Sequence, residues 1–99
     1  MIAINQLAHA LAASPERSVR DERQAVQLAE RAVQISGDQD PVYLDTLAIA
    51  YAAAGRFSYA NSVAHRALEL ATHENRSQLA GALTARLRLY EAQQPYRDA

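Results

Sequence analysis

Cysteine is absent from the 99 residues, which removes disulfides, thiolate nucleophiles and cysteine-ligated zinc together. Lysine is absent as well, and all ten basic residues are Arg, a mark of genomic base composition more than of mechanism. The formal charge is −1, so there is no electrostatic footprint for nucleic acid or for an anionic membrane. No apolar run approaches the ~18 residues of a membrane span, and the opening segment lacks the basic and long apolar stretches of a signal peptide. The expectation is a cytoplasmic location without membrane insertion. No Gly-rich phosphate loop and no paired catalytic carboxylates occur, so no cofactor and no enzymatic activity are expected.

Glycine and proline number only three each, and six residues are aromatic, yet the apolar fraction is 49%. Twenty-two of the apolar residues are Ala, the strongest helix former. The interior must therefore come from close approach of helix backbones. A chain of this length forms one domain and removes roughly 60–68% of its unfolded surface from water.

Self-similarity at fixed offsets organises the chain. Ile4, Leu7, Ala8 and Leu11 step by three, one and three, and Leu44, Leu47, Ala48 and Tyr51 repeat the pattern forty residues later. Each set falls on one helix face, because residues three, four and seven apart superpose at 3.6 per turn. A second echo relates Ala25, Leu28, Ala29, Ala32, Val33 and Ile35 to Ala60, Val63, Ala64, Ala67, Leu68 and Leu70, offset by thirty-five. The five-residue difference belongs between the helices of the first pair, where residues 13–20 supply turn and breaker residues.

The segment Leu44 to Leu70, with Leu47-Ala48, Tyr51, Gly55, Phe57, Ala60, Ala64, Ala67 and Leu68 at their present spacing, resembles the tetratricopeptide repeat, a helix-turn-helix unit of about 34 residues. The first copy departs from the family by its longer loop and its missing inner Gly, and Thr72 stands where the family often has Pro. The resemblance implies an all-α superhelical stack of helical hairpins, in one domain over 1–99. Repeat one would cover 2–36, repeat two 41–73, and a capping helix 76–93. An ending of this kind is similar to C-terminal repeat domains of larger bacterial proteins.

Local signals set the boundaries. Asp21 with Gln24 three residues on forms a capping-box start. Gly37 suits a left-handed cap, and Asp40-Pro41 opens the next helix. Gly55 permits the following reversal, Asn75 separates the fourth helix from the fifth, and Pro95 stops the fifth. Helices are expected near 2–13, 21–36, 41–54, 57–73 and 76–93, with Leu79, Leu83, Leu87 and Tyr90 facing inward on the last.

In the family the first helix of each pair lines the concave side. The resemblance thus places Asn5, Gln6, His9 and Ala12 in a groove with Val42, Asp45, Thr46, Ile49 and Ala53, and Ile49 as its apolar floor. The family's use of cationic faces to clamp a C-terminal carboxylate does not fit, because Asp45 would repel that ligand. The apolar start Ile2 and Ile4 is a candidate self-association edge, for a homo-oligomer or the end of a longer array. His65, Glu69 and His73 share one helix face, but the two His lie about 12 Å apart along the axis, too far for one metal ion. His9 facing Asp45 lacks a nucleophile. Tyr51 and Phe57 read as core, Tyr59 as part-exposed, Arg86, Arg88 and Arg97 as a small basic zone, and Tyr96 as folding onto the fifth helix. The expected function is a scaffold or adaptor module binding a protein or peptide through the groove. The alternative is a capping or oligomerisation end.

Overall fold

A computed structural model describes residues 2–37 and 39–98. Five helices run in chain order: α1 Ile2–Ala13, α2 Glu22–Ser36, α3 Pro41–Ala53, α4 Phe57–His73 and α5 Ser77–Glu91, with no strand among the described residues. The chain is all-α, and each helix follows a local cause. Asp21, in extended backbone, accepts a hydrogen bond from the Gln24 amide at 3.1 Å. The returning half of a capping box is replaced, because the Asp21 amide donates instead to the Leu11 carbonyl at 2.9 Å and ties α2 to α1. Asp40 caps α3 by accepting from the Val42 amide at 2.9 Å, with Pro41 in the first turn.

Helix ends repeat one device. Gly55, Asn75 and Gln93 take left-handed backbone, φ 79°, 60° and 57°. The amides that follow, on Arg56, Arg76 and Gln94, each donate at 2.8 Å to a carbonyl five residues back, on Tyr51, Ala71 and Leu89. This six-to-one closure satisfies carbonyls that a helix end leaves unpaired. It also corrects the expected stop at Pro95: α5 ends at Glu91, before the proline, because Gln93 has already reversed the chain.

Packing produces two layers. Among the described residues α3 touches all four other helices, whereas α2 meets only α1 and α3, and α4 only α3 and α5. Helices α1, α3 and α5 form one layer and α2 and α4 the other. Ala25, Ala29 and Ala32 on α2 and Ala60, Ala64, Ala67 and Ala71 on α4 are fully buried, so the outer helices approach through methyl groups. Bulk comes from Leu44, Leu47, Ile49, Leu83, Leu87 and Tyr90.

Several expected core side chains lie at the margin. Leu7 is 48% and Ile35 56% exposed, and Tyr51 and Phe57 are half-buried. Leu7 leaves the core because α1 is the layer's edge, with α2 and α3 as its only helix neighbours among the described residues.

Candidate functional site

The first helices of the two hairpins and α5 share one face, and the residues expected to form a groove fall there in two groups. Gln6 is exposed, while Asn5, His9 and Val42 are half-buried. Asp45, Thr46 and Ile49 are buried, and Ile49 has no exposed surface. An open apolar floor at Ile49 is therefore corrected: nine of the thirteen α3 residues are buried, since α3 is in contact with all four other helices. Thr46 spends its hydroxyl on the Val42 carbonyl at 3.3 Å. Ala53 is placed elsewhere, in an open cleft of about 610 Å³ against Val26 and Gln27 of α2.

His9 faces Asp45 closely enough to act on its carboxyl, but each forms its hydrogen bond with another partner. Arg86 of α5 donates to Asp45 Oδ2, with both side chains nearly out of solvent. A lone carboxylate on an apolar helix demands such a cation, because an unpaired buried charge is costly. Burial pushes the Asp45 carboxyl up from its ordinary value, against the lowering influence of the Arg86 guanidinium, its hydrogen bond and His9. Arg86, expected in a small basic zone, is turned inward to Asp45 instead.

His9 Nε2 lies 3.1 and 3.2 Å from the two carboxylate oxygens of Asp98, an arrangement that puts the ring hydrogen on Nε2. Asp98 belongs to residues 94–98, which leave α5 after Gln93 without regular secondary structure and reach from Arg86 of α5 to His9 and the end of α1 as a strap. Pro95 keeps Gln94 out of helical backbone, which favours this course. The Tyr96 ring sits under the Arg86 guanidinium, 4.5 Å from carbon to ring centroid, and meets His9 edge to face at 6.2 Å and 69°. Arg97 donates to the Ala12 carbonyl at 3.2 Å, and the Asp98 amide donates to the Ala13 carbonyl at 2.8 Å.

These contacts complete the end of α1. It lacks a basic residue in its last turn, and its last four carbonyls are taken by Ser14, Asp21, Arg97 and Asp98. Two of the four partners thus come from the strap. Beneath it, Asp45 Oδ1, Arg86 Nε and the Tyr90 hydroxyl are buried without a hydrogen-bond partner, as is Asn5 Oδ1 on α1. Burial, with Asp45 next, drives the Tyr90 hydroxyl's pKa upward.

Sequence reading reached Tyr96 and missed the roles of Arg86, Tyr90, Arg97 and Asp98. The usable signal was the lone acid Asp45 among apolar neighbours. Elsewhere, Tyr59 is 61% exposed and stacks on Tyr51 at 5.4 Å. The Tyr51 hydroxyl donates to Glu30 at 2.8 Å, and burial together with that carboxylate pushes its pKa up to about 12. His65, Glu69 and His73 lie exposed on α4, and no group of three or more side chains is placed to hold a metal ion among the described residues. None of the described helices is long and apolar enough to cross a membrane.

Fold and site together define an all-α arrangement of helical hairpins with a segment of no regular structure, residues 94–98, held against α1 and α5. Comparison with family models, with curated proteins and with solved structures gives no match.

Proposed function

We propose that this chain is a protein-interaction module of tetratricopeptide-like design, and that the α1–α3–α5 face receives an extended peptide segment of a partner. The observation that carries the reading is residues 95–98 lying there, held by backbone carbonyls at the end of α1 and by His9 and Arg86. A face that holds one segment has the shape and the donors and acceptors for another. Catalysis has no place in this reading, since His9 and Asp45 are engaged with Asp98 and Arg86 instead of with each other. Nucleic-acid binding is equally disfavoured, because Arg86 and Arg97 are turned to Asp45 and the Ala12 carbonyl.

Peptides selected from a displayed random library on the full chain test the proposal. Binding should weaken at least about tenfold in Gln6→Arg and His9→Ala and stay within about twofold in Arg23→Glu on the outer layer. Peptides that ignore the first two substitutions and respond to the third would contradict it.

A second reading, a capping or oligomerisation end that pairs with a second copy, is favoured by one observation. Ile2 is 68% and Leu7 48% exposed on the edge helix, while Ile4 is half-buried.

A further inference from the structure

The chemistry of the resident segment says what kind of partner the face would take, and the inference rests on the reading of that face as a peptide site. Three slots are filled. An aromatic slot lies between Arg86 and His9, where Tyr96 sits 4.5 Å from the guanidinium carbon and 6.2 Å from the imidazole. A carboxylate slot lies at His9 Nε2, within 3.2 Å of both Asp98 oxygens. Between them, the Ala13 carbonyl takes the Asp98 amide at 2.8 Å, a bond that any residue at that position supplies through its backbone. Arg97, in the middle, donates from its side chain to the main-chain carbonyls of Ala12 and Tyr96.

We propose that the face recognises an extended segment in which an aromatic residue is followed two positions later by a carboxylate, and that Tyr96-Arg97-Asp98 is a resident copy of that pattern which an outside segment must displace. The pattern matches the charges present, since His9 and Arg86 provide donors on one side and the π face of the ring accepts the guanidinium. The resident copy is an incomplete ligand. It leaves Asp45 Oδ1, Arg86 Nε and the Tyr90 hydroxyl buried and unpaired, and the His9 and Asp98 side chains remain 33% and 39% exposed. Buried polar atoms without partners favour any occupant that supplies them. The resident's advantage is its tether: the four residues Ala92, Gln93, Gln94 and Pro95 link it to α5, and so short a link gives an effective concentration of about millimolar.

The test uses the full chain and a fluorescent peptide with the sequence of residues 93–98, blocked at both ends, with binding read by anisotropy. Tyr96→Ala/Asp98→Ala should bind the probe at least about tenfold more tightly than the parent chain, because the tethered competitor is gone. Probes carrying Tyr96→Ala or Asp98→Asn should each bind that variant about tenfold more weakly. Should the double variant fail to fold, Asp98→Asn alone alters only a part-exposed side chain and should still gain about threefold. Equal binding by parent and variant, or indifference to the probe's aromatic and acidic positions, overturns the proposal. If library-selected peptides bind the face but lack the pattern and ignore the strap substitutions, this inference fails while the peptide-site reading stands. If no peptide binds any form, both fail.

Discussion

Asp45 and Arg86 form a buried ion pair, with the carboxylate and guanidinium side chains 11% and 15% exposed. Such a pair adds little over an apolar equivalent, but removing one member leaves the other charge stranded. Arg86→Met should lower the unfolding free energy by roughly 3 kcal/mol at neutral pH, and Asp45→Leu/Arg86→Met should recover most of the loss. The sign of the pH dependence follows from Asp45. Burial already raises its pKa in the folded state, and deleting Arg86 removes the main lowering influences, so the folded value rises further above the unfolded one. An acid with a raised folded pKa contributes stability below its unfolded value and loses it as pH climbs through the folded value. The penalty in Arg86→Met should therefore shrink between pH 7 and pH 4 in urea titrations. An equal loss at both pH values would show that Asp45 is not the stranded group.

At the scale of helices, the local signals were legible and the edges were not. Asp21, Gly37, Asp40-Pro41, Gly55 and Asn75 act within a few residues of themselves, so their roles follow from side-chain chemistry and backbone freedom alone. The end of α5 was displaced because Gln93 adopts φ 57° without being Gly or Asn, which no composition rule announces. Leu7 carries the right periodicity and still faces out, because a stripe reports only which side of a helix is apolar and not whether a neighbour covers it. The contacts that build the site join residues 41, 85 and 89 positions apart, beyond the reach of helical spacing. The exposed flank of α1 belongs to this scale, and so does its test. If that flank pairs with a second copy, the full chain should show a dimer mass in light scattering at high concentration and Ile2→Ser/Leu7→Ser should return it to a monomer. A monomer mass for the parent chain would remove the oligomerisation reading.

Taken whole, the molecule spreads to 37 × 30 × 23 Å with a radius of gyration of 12.0 Å. Its accessible surface is 5710 Å², against about 5,500 Å² expected for a globular chain of this mass. Residues 94–98 lie against α1 and α5 where the sequence placed a recess. The two-layer order itself was legible, because the offsets of forty and thirty-five residues define which helices are equivalent. The occupant was not, since nothing periodic describes five residues after the last helix.

Nitrogen-15 correlation spectra of the full chain, recorded while a library-selected peptide is added, test the central claim most directly. Amide signals should move in α1 from Asn5 to Ala13, in α5 around Arg86 and Tyr90, and in Tyr96 to Asp98, with the last group shifting toward values of an unstructured peptide. Changes confined to α2 and α4, with the signals of Tyr96 to Asp98 unmoved, would contradict it.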